Sequence, residues 1–247
     1  MALNEKKRQQ KLAKKKNRRK ELAKVARQKM SAGYSLLTDT KRLARIAAAP
    51  IHECLMPREL FQLGMGNLMV TRKLESGNLA IGVFLLDTFC LGVKDAFLRI
   101  ITPFEYDQYV DGMRQHETPQ RIEPAYARKL IEDCAAYARA VGLAPHPDYA
   151  AAQLILGDID PAECTDEFVF GKDGKPFYVN GPNDTPARQK QIIQTLTQHC
   201  GPGGYDYLMM LDPFGGASLP PGVELIEEGD WEGEEEEGED EEERDVD

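Results

Sequence analysis

The sequence predicts an α+β domain: a mostly antiparallel sheet made from two hairpins and packed with several helices. A basic N-terminal arm, helical or disordered, and a disordered acidic C-terminal tail flank it. Three observations carry this. Two pairs of short apolar runs are each split by a turn rich in Gly, Asn or Asp; helices with legible caps follow each pair; and charge is segregated to the chain ends. The boundaries that follow are a basic arm over 1–30, a short helical linker over 31–50, a globular domain over 51–215 and an acidic tail over 216–247.

Residues 1–30, MALNEKKRQQKLAKKKNRRKELAKVARQKM, are good helix formers. Only Leu3, Leu12, Leu22, Val25 and Met30 offer apolar surface, a stripe too thin to hold a helix by packing. The segment is therefore frayed or disordered until a partner orders it. Ser31 to Gly33 break the pattern. Asp39 or Thr40 caps a short helix that stops near Pro50. A second short helix is expected to carry His52, Glu53 and Cys54 to Pro57.

NLMVTRKL (67–74) alternates, with Leu68, Val70, Arg72 and Leu74 on one face. ESGN turns the chain and LAIGVFLLD runs back, apolar on both faces and so central in its sheet. TPFE (102–105) is a capping box with proline at the first helical position. EPAYARKLIEDCAAYARAVGL is the clearest helix, opened by Pro124, closed by Gly142, with Tyr126, Leu130, Ile131, Cys134, Tyr137 and Ala138 on one face. Another helix starts at Pro147 or Asp148. EFVFGKDGKPFYVNGP reads as a second hairpin turning at Asp173-Gly174. Asp184 or Thr185 caps a last helix that begins at Pro186 and ends before Gly201. YDYLMML (205–211) can add an edge strand.

Charge says more about partners than the sequence pI of about 5.1 does. Residues 1–45 hold 16 Lys and Arg against 3 Asp and Glu, a net +13; residues 224–247 hold 16 acidic residues and one arginine, a net −15. Between them lie 14 basic and 22 acidic residues and nearly all the aromatics. The chain shows neither an apolar run of membrane-spanning length nor a secretory signal. Five widely spaced cysteines, Cys54, Cys90, Cys134, Cys164 and Cys200, fit reduced thiols in a cytoplasm.

The basic arm is the strongest functional signal. Lys6, Lys7, Arg8, Lys11, Lys14, Lys15, Lys16, Arg18, Arg19, Lys20, Lys24 and Arg27 would cover nearly every face of a helix. That suits nucleic-acid phosphates or a ribonucleoprotein, the ribosome included, and gives salt-dependent, sequence-blind binding. No aromatic is interleaved for base stacking, and no Trp or Phe suits the arm to a membrane surface. The acidic tail is expected to contact the arm within the same chain and compete with the nucleic acid. The leading expectation is a non-catalytic cytoplasmic protein that binds RNA or a ribonucleoprotein and needs no cofactor.

Two alternatives stand beside it. One is a protein–protein interaction module with solubilising tails. The other is a metal-assisted phosphodiester hydrolase centred on Asp87 and Asp95, using Mg²⁺ and drawing further ligands from Glu53, Asp148 and Asp184. Asp87 ends a central strand beside a turn, but an Asx turn onto the amide of Phe89 explains it as well. Lys94 and Asp95 would then be an ion pair at a helix start around Gly92. Cys90, flanked by Phe89 and Leu91, is either a nucleophile with His52, His146 or His199 as its base, or a buried inert thiol. His146, between two prolines, is a ligand or base with Asp148, or a loop residue capping a helix. A mixed metal site from His52, Cys54, His199 and Cys200 lacks recognised spacing.

GVFLLDTFCLGVKDAF, GLAPHPDY and GKPFYVNGPNDTPAR together resemble a family of uncharacterised conserved bacterial proteins. The resemblance covers roughly residues 50–205. It implies that this span is one unit and brings no activity, cofactor or catalytic residue with it.

Overall fold

In the computed structural model the alternation of residues 68–74 becomes a strand, and the rest of the sheet assembles around it. Residues 40–181 and 184–209 are described; the arm over 1–30 and the tail over 216–247 lie outside the described residues. The elements run α1 (Thr40–Ala48), β1 (Ile51–Pro57), α2 (Leu60–Leu63), β2 (Met65–Lys73), β3 (Leu79–Asp87), β4 (Gly92–Ile101), α3 (Pro103–His116), β5 (Pro119–Ile122), α4 (Pro124–Ala140), α5 (Tyr149–Ala152), β6 (Phe177–Val179), α6 (Pro186–Cys200) and β7 (Asp206–Leu208). Among the described residues, β1 to β5 form one antiparallel sheet in the order β4-β3-β2-β1-β5, and β6 pairs with β7 in parallel. No helix among them is long and apolar enough to cross a membrane.

The first hairpin is in the expected register, from Lys73 opposite Leu79 to Met65 opposite Asp87. Side-chain alternation then divides the core in two. Leu68, Val70, Phe84 and Leu86 face α4, whose Leu130, Ile131 and Cys134 are fully buried. Met69, Ile81 and Val83 face the other way, against Tyr106, Val110 and Met113 of α3. Helices therefore cover both faces, and for that reason β3 is apolar on both. Each fully buried Leu, Ile or Phe contributes about 1.5–3 kcal/mol. A third cluster seats Ile192 and Leu196 of α6 against Cys90 and Tyr178. The caps of the long helices are as read: Thr102 and Glu105 form the capping box of α3, and Thr185 accepts from the amide of Arg188 at the start of α6.

Three expectations need correction, and one strand was not foreseen. Residues 51–57 form a strand, not a short helix: Cys54 pairs with Val70 on one side and Ile122 on the other, and this pairing outweighs local propensity. Residues 92–101 form the edge strand β4, so Lys94 and Asp95 begin no helix. A bulge hides its period, because Leu85 faces Asp95 while Leu86 faces Val93, which leaves Lys94 as the extra residue. β5, only four residues long between Thr118 and Glu123, gave no readable signal. The second hairpin is a turn without a ladder. Asp173 and Gly174 adopt φ 53° and 79°, and Lys172 bridges Lys175. Phe168 and Phe170 alternate because they lie on α4, at 5.0 Å from the Tyr126 ring and 5.3 Å from the Tyr137 ring. Residues 177–179 pair with β7, the expected edge strand, but in parallel.

Arg72 is buried at 2% exposure and ties three segments together. Its guanidinium donates to the carbonyls of Ile155 (2.6 Å), Ala49 (2.5 Å) and Leu156 (2.9 Å), and to Asp158 at 3.1 Å. The planar fork suits this divergent set of acceptors, and the exposed Asp158 keeps its counter-charge in water. The loop can pass this closely only because residue 157 is glycine: a Cβ there would lie 2.2 Å from the carbonyl oxygen of Ala47. Replacing Arg72 with Met takes this donor from the carbonyls of Ala49 and Ile155, leaves Leu156 only the Ile159 amide, and is expected to destabilise the fold by about 3 kcal/mol or more. Arg72→Lys should recover less than half of that, because an ammonium lacks the fork. Urea unfolding of the three proteins checks both values.

Candidate functional site

The carboxylates and histidines singled out in the sequence fall into three separate groups. Asp87 and Cys90 belong to the first, inside the turn between β3 and β4. Asp87 is 3% exposed and accepts hydrogen bonds from the amides of Phe89 (3.1 Å) and Cys90 (2.9 Å). This is an Asx turn extended by one amide, as the bland reading of Asp87 expects. Gly92 closes the turn at φ 68°, where a Cβ would sit 2.6 Å from that of Ala138 and 2.7 Å from the carbonyl oxygen of Cys134. Burial raises the Asp87 carboxyl to about 6, against the lowering effect of those amides and of Lys94. Cys90 is fully buried, and burial, reinforced by Asp87, pushes its thiol far above the ordinary range. A thiol held protonated in this way is inert, which leaves Cys90 no nucleophilic role at neutral pH.

Lys94 and Asp95, adjacent in sequence, part company at the bulge. Lys94 lies 3.9 Å from Asp184, with side chains 14% and 6% exposed. Asp184 also accepts from the Gly181 amide (2.8 Å) and the Tyr178 hydroxyl (3.2 Å), and forms an ion pair with Arg188 at 3.2 Å. It is a satisfied buried carboxylate that locks the start of α6 to the edge strand.

Asp95, by contrast, is 60% exposed, bonds to the amide of Ala96 and lies 3.6 Å from Nδ1 of His146. Asp148 is 3.9 Å from the same nitrogen, which also accepts from the Asp148 amide at 3.3 Å. The structure therefore brings together three of the predicted residues, Asp95, His146 and Asp148, in a surface cluster separate from the buried Asp87.

A fourth group, apart from these three, was not found by sequence reading. Glu53 on β1 accepts from the hydroxyl of Tyr106 on α3 and from Arg121 on β5 at 2.6 Å, and His52 meets the Tyr106 ring edge-on at 5.5 Å. Burial works to raise the Glu53 carboxyl, but the bonds from Tyr106 and Arg121 outweigh it and hold the group below its ordinary value. The group crosses three elements 53 and 68 residues apart in sequence, so no local motif announces it. His199 instead bonds the carbonyl of Thr195 within its own helix. Among the described residues, no three His, Cys, Asp or Glu side chains are arranged to hold a metal ion, so Asp87, Asp95, Glu53, Asp148 and Asp184 do not form the ligand set the hydrolase reading requires.

The concave surface that remains adjoins the basic end of the chain. A cleft of about 560 Å³ lies between α1 and the β2–β3 turn. Leu43 and Ile46 of α1 turn to the core, while Arg42 and Arg45, three residues apart, share the exposed side. Lys73 lines the opposite wall. The basic arm residues Lys6 through Arg27 lie outside the described residues, upstream of this helix. Comparisons with family models, curated proteins and solved structures give no match.

The Asp87 corner generates a pH test. A carboxyl raised to about 6 holds its proton more tightly in the folded protein than in the unfolded chain. Stability is therefore lost as pH rises from about 4 to about 6, and the full cost persists above that. Asp87→Asn has no proton to lose. From about pH 4 to pH 7 the variant should gain about 2–3 kcal/mol relative to wild type, read from denaturant melts. A difference independent of pH would contradict the burial of an ionising Asp87. Mg²⁺ should shift neither melt; a rise confined to wild type would put a metal at Asp87.

Proposed function

We propose that the protein is a non-catalytic RNA- or ribonucleoprotein-binding protein that engages phosphate through its basic N-terminal arm. One observation carries the reading: a net charge of +13 within the first 45 residues, on a segment with almost no apolar surface of its own. Such a segment gains little from packing on a protein core and much from neutralising a polyanion. The described end of this region agrees with it. Arg42 and Arg45 stand exposed on a helix whose other side is anchored in the core, so the described start of the domain is basic as well.

The dispersal of the acidic residues into structural contacts supports binding rather than catalysis, since Asp87, Asp184 and Glu53 each spend their lone pairs on protein donors. All five cysteines are free, which supports a reducing compartment, the cytoplasm. The acidic tail, at −15, is a competitor for the arm on the same chain. The tail also holds the only tryptophan, Trp231, which makes it a reporter of that contact.

Two outcomes are expected. Deleting residues 1–30 abolishes RNA mobility shifts at low and moderate salt and leaves the thermal melt in place; unchanged affinity would sink the reading. Deleting residues 224–247 tightens RNA binding, most at low salt, where opposite charges attract over the longest range. In the full chain, Trp231 emission should move to the red when RNA is added or salt rises. A spectrum already fully exposed and indifferent to RNA, with unchanged affinity in the tail-deleted protein, would leave the two ends independent.

A further inference from the structure

The cleft beside α1 combines features that an arm alone lacks. It is concave, and its cations come from two separate elements: Arg42 and Arg45 from the helix, Lys73 from the end of β2. Neither Arg45 nor Lys73 is paired with a carboxylate among the described residues. Among the described residues Glu75 is the one acidic residue on its walls, so their lining is net positive. Its floor is aliphatic, from Ile46, Leu74 and Ile100, and no aromatic ring lines it for a base to stack on. The walls are tied to each other. The carbonyl of Ala49 is held by Arg72 and that of Pro50 by the amide of Lys73 at 2.9 Å, so the helix and the strand cannot drift apart without breaking these bonds.

We propose that this cleft docks the phosphodiester backbone of RNA, with Arg45 and Lys73 as its phosphate contacts and Arg42 as the link to the arm. This rests on the RNA-binding reading above and adds to it a fixed contact in the folded domain. Charge complementarity selects a polyanion as occupant, and the aliphatic floor without aromatics selects its backbone rather than its bases. Binding at the cleft is therefore salt-dependent and sequence-blind, like binding at the arm. It differs in that it orients the nucleic acid on the domain, which an unanchored arm cannot do.

The test uses the full chain and a fluorescein-labelled structured RNA, with anisotropy titrations between about 50 and 200 mM salt. Four proteins are compared: wild type; Arg45→Gln with Lys73→Gln; an arm variant with Lys14, Lys15, Lys16, Arg18, Arg19 and Lys20 changed to Gln; and the two sets combined. Both cleft side chains are exposed, so the thermal melts should coincide. Each lost phosphate contact lowers the slope of log affinity against log salt by about 0.7–0.9, so the cleft variant should lose about 1.5–2 in slope. Equivalently, the weakening of its affinity across that salt range should be about tenfold smaller than for wild type. Arg45→Lys with Lys73→Arg should restore the slope.

A cleft variant that binds with wild-type slope, while the arm variant fails to bind, would overturn the cleft and leave the arm reading intact. Wild type and arm variant both failing to bind RNA would overturn the arm reading itself. A cleft variant that alters Trp231 emission in the free chain, with unchanged RNA affinity, would make the acidic tail the occupant and overturn the proposal.

Discussion

The arrangement depends first on one buried guanidinium. A lone charged side chain inside a core is costly unless every donor is used, and Arg72 uses its own on three carbonyls and one exposed carboxylate. Those carbonyls lie at segment ends: Ala49 just beyond the end of α1, and Ile155 and Leu156 in the 3-10 turn after α5, where Leu156 also accepts from the Ile159 amide. A single residue on β2 thus closes two chain ends and seats a helix on the sheet. Its neighbour Lys73 lines the cleft beside α1, and its amide holds the carbonyl of Pro50 at 2.9 Å. The same two positions that fix α1 in place therefore set the spacing of the cleft's cations.

The acidic residues give a contrast. Three of the carboxylates that drew attention as ligands are occupied by structural tasks. Asp87 closes a turn, Asp184 joins α6 to the edge strand, and Glu53 bridges β1, α3 and β5. Asp95, Asp148 and His146 meet at the surface, where water competes for every contact. Only Asp87 is held far from its ordinary ionisation, and the cause is burial among apolar side chains rather than a partner poised for chemistry. A raised carboxyl of this kind is a cost of the packing around the β3–β4 turn, and it predicts a pH dependence of stability.

Much of this fold was legible where the signal was local. The Thr102 capping box, the Pro124 and Pro186 helix starts and the hairpin across residues 75–78 all rest on residues within one turn of each other. What failed was non-local. Residues 51–57 read as helix because nothing nearby shows that Val70 and Ile122 will flank Cys54. One extra residue, Lys94, broke the period of β4 and concealed it. Phe168 and Phe170 alternate like a strand because an extended segment lying on a helix also presents every second side chain to it. Among the candidate site residues, Asp87 was correctly placed at a strand end. The Glu53–Tyr106–Arg121 group was invisible, since its members meet only after the sheet and α3 are assembled.

The central claim is that the basic end of the molecule, arm and cleft together, is where this protein meets nucleic acid. Amide hydrogen exchange on the full chain, free and saturated with a structured RNA, tests it most directly because it maps contact without mutation. The account requires slowed exchange in the arm, in α1 and across residues 73–79, with residues 87–95 and 146–148 unchanged. Protection confined to the Asp87, Asp95 and His146 region, with α1 and residues 73–79 exchanging as in the free protein, would contradict it.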